Sequence, residues 1–328
     1  MLEDESETVR FAVFGSAADP LSAYTEARIR ARGHEATLLS LEHIGVDACV
    51  DAHVAADHDG WFLEGEDLRS FDGYVLRRIP SPYRVPADAR DATWTLERWW
   101  QVGVVQRECN LWARAALASI ESLGRPMVNS WMACHLFDDK AIQLEAFRRA
   151  GLVIPPTCIT NSTRVVRNFA RRQAGPLIAK PLEGGAHTRL VDPEFFSADV
   201  LLPSPAIFQA YVPGDDIRVT VVDGKVVSAV EIDSAGPGVV DYREAVDYQS
   251  GRAHYKRHAL PPSIVSLCVR AAEISHQVLS GVDLKRTGTG AYTLLEANSA
   301  PMYLDIERKM NDPITDAIID YLTSANDR

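Results

Sequence analysis

Glu296 and Asn298 stand two residues apart in an apolar, strand-like run, so strand geometry turns both side chains to one face. Upstream, Thr287-Gly-Thr-Gly290 is turn chemistry between two extended segments. Folding residues 281–301 about that turn brings Asp283 nearly opposite Glu296. Two carboxylates and an amide oxygen form a hard, all-oxygen set suited to magnesium held partly through a nucleotide's phosphates. An ordinary hairpin with solvated acids would carry the same residues, so the hairpin alone leaves both readings open.

Other residues supply possible counter-charges. Lys180 closes the apolar run Leu177-Ile-Ala-Lys180 and is followed by Glu183-Gly-Gly185. A strand-end lysine can reach phosphate oxygens, and a glycine loop can present N–H groups to them. An exposed lysine beside a turn is the alternative. Asp216 and Arg218 again share a strand face; the first can accept ribose hydroxyls and the second can clamp a phosphoryl group that is gaining charge. A structural ion pair would look the same. Phe208-Gln-Ala-Tyr-Val-Pro213 leads out of a strand, as a crossover offering backbone groups to an adenine edge would.

Positive charge concentrates in Arg243 and in Arg252, His254, Lys256, Arg257 and His258, which could hold phosphate or a carboxylate or form a solvated loop. Arg77 and Arg78 directly follow an apolar strand in a first domain that otherwise lacks a site, which makes them candidate substrate contacts. The histidines show no metal-ligand spacing, and His187 reads as a surface loop residue. Trp94, Trp99 and Trp100 at helical spacing predict core or dimer packing.

These residues need elements to carry them. Residues 10–39 read strand, helix, strand, with Gly33 at a helix C-cap position, and Tyr74-Val-Leu76 adds a strand. A helical stretch over about 94–123 stops at Gly124. This is a small α/β domain without the G-x-G-x-x-G turn of dinucleotide sites. A second block starts near Asn129, where Asp138 or Asp139 can cap a helix reaching Arg149 and closed by Gly151. The third block predicts strands at 207–210, 217–222 and 226–232, the hairpin, and helices near 262–279 and 313–322. The expected division is 1–127, 128–206 and 207–328, in the α/β (α+β) class.

Composition narrows the functions. A chain of 328 residues with a net charge of -11 does not read as a general binder of nucleic acid or anionic membranes. No apolar run reaches membrane-spanning length, and the acidic start is unlike a signal peptide. Five scattered cysteines without a Cys-x-x-Cys pair suggest a reducing, cytoplasmic setting. A homodimer is the reasonable expectation for a soluble chain.

In order along the chain stand Lys140, Lys180-Pro181, residues 209–212, Asp216-Ile-Arg218, Asp283, Glu296 and Asn298. With this set, residues 129–328 resemble the ATP-grasp ligases, and a pre-ATP-grasp domain would precede them. Two branches are most similar: ligases adding glutamate to ribosomal protein tails, and the microviridin-type (graspetide) macrocyclases. Tyr74-Val-Leu-Arg-Arg78, Pro156-Thr-Cys-Ile-Thr-Asn161, Ile207-Phe-Gln209, the run at 217–222 and Asp241-Tyr-Arg243 are shared with the latter.

The resemblance implies that Lys140 and Lys180 bind ATP phosphates, that Gln209, Ala210, Tyr211 and Val212 contact adenine, and that Asp216 contacts ribose. It implies two magnesium ions on Asp283, Glu296 and Asn298, with Arg218 and Arg243 stabilising transferred phosphate. The reaction implied is an ADP-forming carboxylate–amine ligation through an acyl phosphate, on an amino acid, a peptide or a precursor peptide. Two departures bear on substrate. Ala210 stands where these relatives often carry an acidic residue, and Asn298-Ser-Ala-Pro301 follows the glutamate-ligase pattern rather than the macrocyclase Asn-Pro-x-Gly-Gln-Trp.

Overall fold

The computed structural model describes residues 8–54, 59–77, 95–137, 139–173, 175–182, 187–192, 198–233 and 252–326. The chain divides into two compact units, Met1–Trp131 with Thr315–Arg328, and Met132–Ile314. Residues 315–326 thus fold with the first unit, whereas the sequence grouped them with 207–314.

In the first unit, β1 (Arg10–Phe14) pairs in parallel with β2 (Glu35–Leu39) through the crossover helix α1 (Pro20–Ala31). Asp19 caps α1 by accepting from the Leu21 N–H, Pro20 suits the first turn, and Gly33 follows at φ 87°. The strands β3 (Val50–Val54), β4 (Asp59–Leu63) and β5 (Glu66–Asp67) form a small antiparallel sheet that sequence periodicity did not reveal. β6 (Gly73–Leu76) joins the other side of β1, and α2 (Leu96–Glu121) precedes β7 (Met127–Val128), giving the parallel order β2-β1-β6-β7. Trp99 and Trp100 lie exposed on α2, outside the core that was one of their two expected places beside a dimer contact; Trp94 lies outside the described residues. The C-terminal helix (Ile314–Asn326) is tied to α1 by Arg28, whose Nε and Nη2 donate to the two Asp316 oxygens at 2.8 and 2.7 Å, and by Arg32, which donates to Asp320 at 2.7 Å.

In the second unit, α3 (Trp131–Leu136) leads to α4 (Lys140–Arg149), capped by Asp139 through the Ala141 and Ile142 N–H groups. A four-stranded sheet follows in the order β10-β9-β11-β8, from β8 (Thr157–Ser162), β9 (Leu177–Lys180), β10 (Arg189–Val191) and β11 (Leu201–Ala210). Its apolar side is covered by α5 (Thr163–Ala170), which places Val166 and Phe169 on Leu177 and Phe208.

The remaining strands are β12 (Asp215–Val222), β13 (Lys225–Asp233), β14 (His254–Arg257), β15 (Leu279–Arg286) and β16 (Tyr292–Asn298), antiparallel in the order β14-β13-β12-β15-β16. Ile217, Val219, Val221, Val282, Leu284, Leu294 and Ala297 meet Phe147 of α4 and Ala271 of α6 (Pro262–Ile274) in one core. Cys268 is fully buried there, and burial pushes its thiol up to about 12. The helix expected to reach 279 ends at Ile274, because Leu279 instead opens β15 opposite Val222. The last element of this unit is α7 (Leu304–Met310); Tyr255 of β14 donates to Asp305 at 3.0 Å, and Arg257 of the basic cluster donates to Asp312, just past the helix, at 2.7 Å. Lys256 lies 3.7 Å from Glu231.

Candidate functional site

With the core on one face of the five-stranded sheet, strand alternation sends Asp216, Arg218, Asp283 and Lys285 to the other. The register reinforces this: Arg218 stands opposite Asp283, Asp216 opposite Lys285, Asp283 opposite Glu296, and Gly281 opposite Asn298.

Glu296 reaches this face through a register shift. Leu294 pairs with Leu284 while Glu296 pairs with Asp283, so Leu295 is an extra residue in β16. Leu294 and Ala297 therefore both reach the core, and the bulge turns Glu296 and Asn298 to the polar face. Uninterrupted alternation from Leu294 would have sent Glu296 into the apolar core.

Ion pairs link the site residues. Arg218 Nε and Nη2 donate to the two Asp283 oxygens at 2.5 and 3.0 Å, a fork-to-carboxylate contact. Lys140, the first residue of α4, places Nζ 3.0 Å from Glu296 Oε2. Asn298 Nδ2 donates to Asp283 Oδ2 at 3.1 Å and to the Gly281 carbonyl at 3.2 Å, which leaves Oδ1 as the amide atom for a cation. Lys285 Nζ lies 2.8 Å from Asp216 Oδ1 and donates to the Gly214 carbonyl at 3.2 Å. Gly281 keeps this corner open, since a Cβ there would come within 2.5 Å of Pro301 and 3.2 Å of the Arg218 guanidinium.

The two carboxylates differ in their affinity for a proton. Burial, with Glu296 nearby, pushes Asp283 up to about 6 against the pull of Arg218. Burial also raises Glu296, but Lys140, Lys180 and Arg218 outweigh it and hold the carboxyl at about 2. Lys180, buried at the end of β9, thus acts electrostatically on Glu296 together with Lys140.

Gln209 is buried on β11 and donates from Nε2 to Thr157 Oγ1 at 2.8 Å, so its amide is engaged inside the fold. The N–H groups of Ala210 and Tyr211 donate to the Pro156 and Pro176 carbonyls at 2.9 Å. Any adenine contact then falls to other backbone groups of 209–212 and to apolar side-chain surface. Arg77 is buried in the first unit, 3.7 Å from Asp19. Arg78, Arg243 and residues 183–185 lie outside the described residues.

Among the described residues, no group of three or more His, Cys, Asp or Glu could hold a metal ion. The oxygen set is two carboxylates and one amide, which fits magnesium when phosphate oxygens complete its shell. Two site residues escaped the sequence reading. Lys285 follows Asp283 by two positions, so the alternation that pairs Asp216 with Arg218 could have found it. Gln143, one turn along α4 from Lys140, carries no motif signal.

The family profile of the RimK-like ATP-grasp domain matches residues 138–322. A protein named "Probable alpha-L-glutamate ligase" from Syntrophotalea carbinolica is 29% identical over 219 residues, 63% of this chain and 70% of that one. Another of the same name, from Aeromonas salmonicida, is 25% identical over 304 residues, 89% of each chain. The solved ATP-grasp ligase PsnB, complexed with a minimal precursor, superposes with a TM-score of 0.77 at 27% identity, covering 98% of this chain and 100% of its own. The macrocyclase MdnC from Microcystis aeruginosa, bound with precursor peptide MdnA, shares the fold at a TM-score of 0.74 and 19% identity, covering 96% and 99%.

Proposed function

The chain belongs to the RimK-like ATP-grasp family, and from that premise we propose that it is an ADP-forming carboxylate–amine ligase whose substrate is a peptide. The family uses ATP, and the chain is a ligase that forms C–N bonds. The observation that carries the finer reading is the single polar sheet face that joins Asp216, Arg218, Asp283, Glu296 and Asn298, with Lys140 paired to Glu296.

A free carboxylate is a poor acyl donor because its leaving group would be an oxide. In the proposed reaction a substrate carboxylate oxygen attacks the γ-phosphorus of ATP, and the bond to the ADP oxygen breaks. An amine then attacks the acyl carbon of the acyl phosphate, the C–O bond to phosphate breaks, and the nitrogen gives up a proton. Lys140 and Lys180 suit the ATP phosphates, Asp216 the ribose and residues 209–212 the adenine. Arg218, held by Asp283 in a fixed fork, faces the charge that grows on the transferring phosphoryl group. Asp283, Glu296 and Asn298 would hold two magnesium ions; PsnB is described in complex with Mg and ADP. When bound, such ions neutralise phosphate charge and polarise the γ-phosphoryl group. Arg243 keeps the role that the resemblance implies, and Arg78 that of a substrate contact; Arg77, buried beside Asp19, is assigned none.

The peptide substrate is supported by PsnB, which carries a precursor and matches along nearly the whole chain. That match also favours a second reading, in which the captured nucleophile lies on the same peptide and closes a ring. Residues 299–301 support intermolecular ligation instead, because they follow the glutamate-ligase pattern. The test is to incubate the protein with ATP, Mg²⁺, amino-acid mixtures and acidic peptides, reading phosphate release and product mass. Addition of an amino acid to a peptide supports the first reading, and loss of one water per ring supports the second. Tight ATP binding with no turnover across the screen would leave a nucleotide-binding scaffold, and turnover unchanged in Glu296→Ala would refute the site.

A further inference from the structure

β16 is an edge strand, so its outward backbone groups need partners from outside the sheet. At Ala297 that partner is one side chain. Gln143 Oε1 accepts from the Ala297 N–H at 2.9 Å, and Gln143 Nε2 donates to the Ala297 carbonyl at 2.7 Å. The amide thus pairs with both backbone groups of Ala297 as a neighbouring strand would. Nε2 also donates to the Phe137 carbonyl at 2.8 Å, and Gln277 adds a donor to the Ala297 carbonyl at 3.1 Å. Gln143 is only 3% exposed, so these bonds are shielded from water.

Ala297 lies between Glu296 and Asn298, in the segment that follows the bulge. Gln143 lies one turn after Lys140 on the same helix, and Lys140 pairs with Glu296. One helix turn therefore fixes the backbone between two oxygen ligands and supplies the cation that faces one of them.

We propose that Gln143 is a positioning residue: its amide sets the β16 backbone at Ala297 so that Glu296 and Asn298 present their oxygens together to divalent cations. The proposal rests on the metal role of those two residues in the reading above. Orientation of ligands by an outer hydrogen-bonding group typically changes metal affinity by about 10–100-fold.

The experiment measures Mn²⁺ binding by electron paramagnetic resonance in the presence of ADP, beside thermal melting and steady-state kinetics. Gln143→Met keeps the length and removes both hydrogen-bonding atoms. Gln143→Glu keeps the acceptor for the Ala297 N–H and removes the donors. The expected result is a folded Gln143→Met protein whose Mn²⁺ affinity is about 10–100-fold weaker, with kcat reduced more than KM for ATP is raised, and an intermediate Gln143→Glu protein. Wild-type Mn²⁺ affinity in folded Gln143→Met would overturn the proposal, because a purely structural role lowers the melting temperature alone. If Gln143→Met does not fold, Gln143→Glu decides by the same reading, and failure of both to fold assigns the residue to the core and also overturns it. A wild-type protein that binds no Mn²⁺ with ADP would instead refute the metal site itself.

Discussion

Arg218 and Asp283 face each other across β12 and β15 and are joined by two parallel hydrogen bonds of 2.5 and 3.0 Å. A planar guanidinium fits that carboxylate fork and an ammonium does not. Arg218→Lys is expected to lower kcat by about 100-fold, the scale seen when one preorganised charge-stabilising donor is lost, with a much smaller effect on KM for ATP. Phosphate release under saturating ATP checks it, and a kcat within twofold of wild type would sink the role given to Arg218.

Lys285 and Asp216 form another buried pair, 2.8 Å apart and each less than a tenth exposed. Removing one partner takes the counter-charge from the other's buried charge, at a cost of about 3–5 kcal/mol. Lys285→Met should therefore destabilise the protein strongly in denaturant melts. Adding Asp216→Asn should recover part of the loss, so simple additivity in that double-mutant cycle would contradict the coupling.

Gly214 has φ 143°, and a Cβ there would sit 2.1 Å from the Arg286 carbonyl oxygen. Neither the conformation nor the space admits a side chain. Gly214→Ala should cost about 2 kcal/mol or more and disturb the start of β12, next to Asp216. A melting temperature within a degree of wild type would refute this.

Asp316 gives a pH dependence whose sign follows from its partners. Hydrogen bonds from Arg28, with the charges of Arg28 and Arg32, hold its carboxyl below the usual range despite partial burial. A depressed folded value means that the stabilisation is full above the ordinary carboxylate pKa of about 4 and is lost as pH falls through the folded value. Asp316→Asn should melt about 2 °C lower at pH 7, as suits a half-exposed ion pair, and approach wild type as pH falls through the folded value. Melting curves of the two proteins across that range decide it; a gap that widens on acidification would reverse the sign.

Much of the site was legible because strand alternation is a strong signal. It aligned Asp216 with Arg218 and Glu296 with Asn298, and the turn at 287–290 brought Asp283 to Glu296. Three features were not legible, each for a physical reason. The bulge at Leu295 carries no glycine to announce it. Gln143 acts through backbone atoms of a residue 154 positions away, a relation that local periodicity cannot express. The strands β3–β5 are short and mostly exposed, so they lack an apolar pattern. The basic residues at 252–258 read equally as a ligand patch or a solvated loop, and charge alone could not show that Arg257 is held by Asp312.

The pairing of the C-terminal helix with α1 has a consequence for biosynthesis. Arg28 leaves the ribosome 288 residues ahead of Asp316. At about 5–20 residues per second, the first unit waits roughly 15–60 s for its last helix. The intervening unit can fold in that interval, so of the two units the one begun first is the one completed last.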